Sequence, residues 1–402
     1  ILLLDSIKKN EYKKSLNYIN DLKRHQEEGT YEYIVVIFLE EYVRLFNENE
    51  LKLDQDAQFG KMTLINRALQ SCYLEHPSTE SFFESLTNDY EENYSRYLFF
   101  YANYLISQNN HTRAKNIFKN IEPIKSTLLI AQAKKWIEIE NYDGFTSVFS
   151  CKNSNDIVGE FLFIISTLYS SEEDIDESNF YFNLSQYLNP KFKFNLALAA
   201  DNYFHQKEFV NLKKVLKNFN KKNEIYYWYK IKKIAQITKH EDGEDQSFKY
   251  INSKFNEIKN PSLKILYEMG NLAKSFKKYE LAIKYYNEVL YKLDSTSIIY
   301  ADILYRRGGS YERLGNEKKA DNDLLKSLEI NPNKPYVLNY LAYSWLERDY
   351  KIDTAMEMLK KAYNLLPNDP YIIDSIGWAY YLIGDYIEAE KLLRKAIKIM
   401  PL

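Results

Sequence analysis

Between Pro370 and Pro401 the small and apolar positions fall at fixed intervals. Tyr380 follows Gly377 by three residues, Ala389 lies twelve beyond Gly377, Leu393 comes four later and Ala396 three after that. This spacing predicts two antiparallel helices. Where two helices cross closely only Gly, Ala or Ser fits, and larger residues fill the groove beside the crossing. The flanking prolines stop one helix and open the next. The same two positions recur upstream. The first falls at Ala102, Ala133, Ser166, Ala200, Lys232, Gly270, Gly308, Ala342 and Gly377. The second falls at Ala114, Phe145, Ser178, Leu212, Ser247, Ala282, Ala320, Ala355 and Ala389, and seven of these nine pairs are twelve residues apart. An aromatic often follows the turn between the helices, at Tyr142, Phe209, Tyr279 and Tyr386. Lys232 marks a divergent unit, whose inner turn the acidic run from His240 to Asp245 is expected to lengthen.

The register is regular over 263–402 and divergent over 95–262. Residues 1–94 read as degenerate helical repeats. There, Asn10-Glu11-Tyr12 followed by Ser15 and Ile19 reads as the second half of a clipped unit. Tyr31 to Phe46 is one long apolar helix, and Lys61 to Glu75, ended by His76-Pro77, is another. The expected fold class is all-α, a right-handed α-solenoid of antiparallel helix pairs.

The pattern resembles the tetratricopeptide (TPR) repeat, whose units are about 34 residues long. More narrowly, "YVLNYLAYSWLERD" and "LPNDPYIIDSIGWAYYLIGDYIEAEKLLRKAI" resemble long proteobacterial TPR proteins. These include outer-membrane lipoproteins that bring substrates to an envelope protease. The resemblance implies a scaffold or adaptor that binds protein or peptide partners. No lipid-attachment Cys lies near the start, and the chain opens at Ile1, so any lipid anchor is expected outside these residues. The compartment stays open between bacterial cytoplasm and the periplasm or outer-membrane periphery.

Composition agrees. Gly 11 and Pro 9 in 402 residues leave few tight turns for a β-rich fold, and 37 tyrosines argue against disorder. Charge is balanced, 54 basic against 56 acidic residues, so no nucleic-acid partner is expected. The local basic run at Lys213, Lys214, Lys217, Lys221 and Lys222 and the acidic run from Glu172 to Glu177 read as solvated faces. No apolar run is long enough to span a bilayer. Cys72 and Cys151 form no CxxC motif and read as core thiols. The histidines His25, His76, His111, His205 and His240 form no metal-ligand cluster, and no phosphate-binding or nucleophile motif is present. Gly308-Gly309-Ser310 only superficially resembles a nucleophile elbow, being mid-helix with no preceding strand. No enzyme activity, cofactor or metal is expected.

The remaining surface is the concave groove lined by the first helix of each unit. The TPR pattern places there Tyr267, Asn271, Lys274, Tyr305, Glu312, Arg313, Tyr336, Asn339, Tyr343, Glu347, Tyr371, Asp374, Trp378 and Tyr381. Aromatics flanked by isolated charges suit a peptide, and Tyr343 and Trp378 are the expected anchors. The places where chaperone-binding TPR domains clamp a C-terminal carboxylate read Tyr267, Asn271, Arg306, Tyr336 and Tyr340. Only Asn271 matches, so that clamp is not expected. Two other readings stand beside the scaffold: a structural subunit of a larger complex, and the regulatory region of an enzyme whose catalytic part lies elsewhere. The last helix is expected to turn Leu393, Ile397 and Met400 to solvent, so that further chain or a partner would cover it.

Overall fold

The computed structural model describes residues 1–51, 59–87 and 96–400. The expected boundary at 94/95 and the closing Pro401 lie outside the described residues. The chain divides into two compact units, 1–247 and 248–402. Both are all-α over the described residues, built of consecutive antiparallel helix pairs in solenoid fashion.

In the first unit the helices are α1 (Leu2–Lys8), α2 (Tyr12–Lys23), α3 (Tyr31–Glu48), α4 (Lys61–Leu74), α5 (Thr79–Thr87), α6 (Arg96–Ser107), α7 (His111–Phe118), α8 (Leu128–Glu138), α9 (Asp143–Thr146), α10 (Ser154–Ser171), α11 (Ile175–Leu188), α12 (Leu196–His205), α13 (Phe209–Leu216) and α14 (Glu224–Asp242). Helix α15 (Glu244–Asn256) carries the chain across the boundary. The second unit continues with α16 (Leu263–Ser275), α17 (Tyr279–Tyr291), α18 (Ile298–Arg313), α19 (Glu317–Ile330), α20 (Pro335–Leu346), α21 (Ile352–Leu365), α22 (Pro370–Leu382) and α23 (Tyr386–Ile399).

The recurring positions mark the helix crossings. Ala102, Ala133, Ser166, Ala200 and Ala342, their partners Ala114, Phe145, Ser178, Leu212 and Ala355, and Ala282 opposite Gly270 are fully buried. A Cβ placed on Gly308 would lie 3.1 Å from Leu324 Cγ and 3.3 Å from the Ala320 carbonyl, and one on Gly377 would lie 3.0 Å from Leu393 Cδ2. Where serine takes the place, its hydroxyl is satisfied by the facing helix: Ser166 Oγ donates to the Ser178 carbonyl at 2.7 Å and Ser178 Oγ to the Ser166 carbonyl at 2.8 Å. Ser15 is buried and hydrogen-bonded to Ser6 at 2.7 Å across α1 and α2.

The divergent unit corrects two expectations. Lys232 does not occupy the crossing. Ala235 does, buried and accepting a 2.7 Å hydrogen bond from Ser247 Oγ, which restores the twelve-residue offset. His240 to Asp242 do not lengthen a turn either. They continue α14 by one helical turn, and Gly243 at φ 90 makes the break alone.

Cysteines require a third correction. Cys72 and Cys151 are not free core thiols but a disulfide joining the end of α4 to the turn before α10, with Cα atoms 5.6 Å apart and a sequence separation of 79. Thread distance hid the pair, because only the folded stack brings those two turns together.

Left-handed backbone sits five residues before the second small position in one unit after another: Asn109, Glu140, Glu173, Lys207, Lys277, Gly315 and Gly384. Each such turn is closed by a hydrogen bond from the next residue's N–H to the carbonyl five back, as in Asn110 to Leu105 and Asp385 to Tyr380. This is the Schellman termination of the first helix. Only two of the seven are glycine, which reconciles many tight helix turns with a glycine-poor chain.

Candidate functional site

The 248–402 unit presents its first helices, α16, α18, α20 and α22, side by side, because the second helices occupy the opposite side of each crossing. Gly308 faces α19, whereas the adjacent Gly309 faces the neighbouring first helices, with Lys274 of α16 and Tyr340 of α20 beside it. The helical spacing then puts Tyr305, Gly309 and Glu312 on one face of α18.

At the α16–α18 end the side chains are basic. Lys274 Nζ donates to the Arg306 carbonyl at 3.3 Å and lies 2.8 Å from where a Cβ on Gly309 would sit. Its pKa is pushed down to about 8 by burial, then by the Arg306 and Arg313 charges, against the pull of Glu312. The Arg306 guanidinium covers the Tyr267 ring at 5.5 Å. Glu312 accepts a 2.8 Å hydrogen bond from Tyr340 Oη, and Arg313 approaches it at 3.5 Å. Burial and this carboxylate raise the Tyr340 phenol above the usual range. Tyr305 meets Tyr340 edge-on at 5.9 Å.

The α20–α22 end is aromatic and acidic. Trp378 stacks on Tyr381 at 5.2 Å and donates its indole N–H to Glu347 Oε1 at 2.9 Å. Tyr381 leans on Tyr386 at 5.5 Å. Tyr343 is raised in pKa by partial burial, with Glu347 and Asp374 adding to it. Tyr336 Oη donates to Asp369 at 2.8 Å. Asn339 has its side-chain oxygen buried without a hydrogen-bond partner.

The sequence-derived residues thus separate into two kinds. Tyr336, Tyr343, Tyr371 and Tyr381 keep 39–63% of their surface exposed, and Asp374 is also exposed. Tyr267 is buried under Arg306, Tyr305 is half-buried, and Asn271 accepts from the Tyr286 hydroxyl at 2.8 Å. Those three build the floor. Gly309 and Arg306 were absent from the groove set read from the sequence. A glycine at the groove-facing position beside the crossing glycine is the signal that could have found the space Lys274 fills. Among the described residues no group of three or more His, Cys, Asp or Glu is placed to hold a metal ion, and no helix is long and apolar enough to cross a membrane.

The repeat class follows from this architecture and from comparison with known proteins. The Tetratricopeptide repeat family model matches residues 263–291, 301–334 and 372–401. Residues 263–401 therefore carry tetratricopeptide repeats, a helix-pair unit generally found in non-catalytic protein-interaction scaffolds. The unmatched stretch between the second and third matches holds α20 and α21, whose Ala342–Ala355 crossing has the same construction. A TPR repeat-containing protein of Pseudomonas aeruginosa is 33% identical over 100 residues, 25% of this chain and 17% of that protein. The chain therefore spans about a sixth of that relative's length. Among solved structures, it is similar to MamA from Desulfovibrio magneticus (19% identity, TM-score 0.34, covering 43% of this chain and 94% of that one). It is also similar to pilF of Pseudomonas aeruginosa (12% identity, TM-score 0.36, covering 61% and 94%).

Proposed function

We propose that this chain is a non-enzymatic protein-binding scaffold whose α16–α22 face holds a segment of a partner protein. The observation that carries the reading is the row of exposed rings on α20 and α22, Tyr336, Tyr343, Tyr371 and Tyr381, with Trp378 stacked among them. Exposed Tyr and Trp offer large contact area, little conformational entropy to lose and polar tips for hydrogen bonds. In this reading the protein is an adaptor in a bacterial assembly. The Cys72–Cys151 bridge favours the envelope over the cytoplasm, because disulfides persist where the surroundings are oxidising.

The test is capture of partners from the source cell by wild type and by the Tyr343→Ala, Trp378→Ala double variant, with helicity checked by circular dichroism. Truncating a buried aromatic anchor costs about 2 kcal/mol, or roughly 30-fold in affinity. The variant is expected to lose the partners that wild type holds. Equal capture by both proteins moves the binding site off this face.

A further inference from the structure

The groove's charge changes sign along its length. Toward the C-terminal ends of α16 and α18, Lys274, Arg306 and Arg313 gather around one carboxylate, Glu312, which is engaged by Tyr340 and Arg313; Glu268 and Asp302, earlier on the same helices, pair with Lys264 and Lys334. Lys274 spends its one hydrogen bond on a backbone carbonyl, and Arg306 lies on an aromatic ring rather than on an acid. At α20–α22, Glu347 and Asp374 stand beside the stacked Trp378 and Tyr381. The nearest cation in sequence, Arg348, is turned away onto Asp321 and Glu317 at 2.8 and 3.1 Å.

We infer that the groove is bipolar and selects an extended peptide segment with a carboxylate at one end and a Lys or Arg at the other. The inference rests on the groove being the binding face. A peptide carboxylate placed at the basic end would add a second acid to three cations that share Glu312. A peptide cation placed at the other end would meet aromatic faces and two carboxylates together, the arrangement that favours cation–π contact. Charge complementarity of this kind sets orientation and partner choice more than raw affinity. Packed helix axes lie about 8–10 Å apart, so α18 and α22, two helices apart, are separated by roughly 20 Å. An extended chain advances about 3.3 Å per residue. The two charges on the partner should therefore stand about six residues apart.

The test uses the full chain and fluorescent twelve-residue peptides read by anisotropy. One set carries Asp-Asp and Arg-Lys about six residues apart, in both chain directions. Controls bring the charges together, make both ends acidic, make both basic, or replace all charges with Gln. One direction of the six-residue spacing is expected to bind about tenfold tighter than every control, with the advantage shrinking as salt rises. The Arg306→Glu, Arg313→Glu double variant should lose that preference, and should regain affinity for a peptide whose acidic end is changed to lysine. If that variant does not fold by circular dichroism, the wild-type peptide series decides alone. Affinity that follows net charge alone, or no binding by any peptide, overturns the bipolar groove. If an uncharged aromatic-rich peptide binds and the Tyr343→Ala, Trp378→Ala protein does not hold it, the groove survives as the binding face while the charge rule falls.

Discussion

Gly308 and Gly309 are neighbours on α18, yet a side chain added to each should have opposite consequences. At Gly308 a Cβ would sit 3.1 Å from Leu324 Cγ, 3.2 Å from Asp323 Cβ and 3.3 Å from the Ala320 carbonyl. The last of these is backbone, so α19 itself must move. Asp323 is also held, accepting two 2.7 Å bonds from Arg307. Gly308→Leu gains up to about 1 kcal/mol of helix propensity. It forces four carbons into a filled crossing, where overpacking costs about 1–3 kcal/mol and sometimes more. The expected net loss is about 2 kcal/mol, or roughly 4–8 °C in the melting temperature of a unit of this size. At Gly309 the nearest atom is the flexible end of Lys274, at 2.8 Å. Gly309→Ala should therefore keep most of its propensity gain, leaving Tm unchanged or slightly higher, while displacing the Lys274 amine and weakening groove binding. Differential scanning calorimetry and a binding isotherm on the same preparations separate the two effects. A Gly308→Leu protein that melts like wild type, or a Gly309→Ala protein as damaged as Gly308→Leu, would refute the assigned register.

Three further outcomes are expected. Reducing the Cys72–Cys151 bridge frees a 79-residue loop, worth about 4.5 kcal/mol by chain entropy, within the usual 2–5 kcal/mol range for disulfide loss; calorimetry with and without reductant should lower the transition of the 1–247 unit and spare that of 248–402. Lys274 has its pKa lowered to about 8 by burial and by Arg306 and Arg313, so its charged form is disfavoured in the fold, most fully below pH 8, and stability should rise as pH climbs from 8 toward its ordinary value. Lys274→Met should raise Tm at pH 7 and flatten that rise, and affinity for an acidic peptide should fall in wild type, but not in the variant, as pH passes 8. Lys277 holds φ 58, which costs a non-glycine residue about 1–2 kcal/mol, partly offset by the entropy glycine adds to the unfolded chain; Lys277→Gly should stabilise by about 0.5 kcal/mol in urea melts, and a loss would contradict the left-handed turn.

Most of the fold was legible because helix crossings impose a rule on residue size that survives divergence. Ala102, Ser166, Gly270 and Gly377 are small for one reason, and a twelve-residue offset is enough to find their partners. The rule misled at Lys232, a large residue taken as the matching place in the divergent unit. The crossing itself sits three residues on, at Ala235, because α14 gains a turn before Gly243. The disulfide was illegible because its partners lie in separate helix pairs, and spacing within a repeat carries no information about contacts between pairs. The left-handed turns at Glu173, Lys207 and Lys277 were also hidden, since composition suggests positive φ only through Gly or Asn. In the candidate site, repeat position identified which side chains face the groove but not how deep they lie. Tyr267 and Tyr343 occupy equivalent faces, yet Arg306 covers the first while the second stays open.

Photo-crosslinking in the source cell tests the scaffold reading most directly. A benzophenone amino acid placed at Tyr343 or Trp378 should form adducts with a partner protein, and the same residue at Tyr291, 90% exposed at the end of the second helix α17, should not. Adducts from Tyr291 with none from Tyr343 or Trp378 would contradict the account and move the binding surface off the first-helix face.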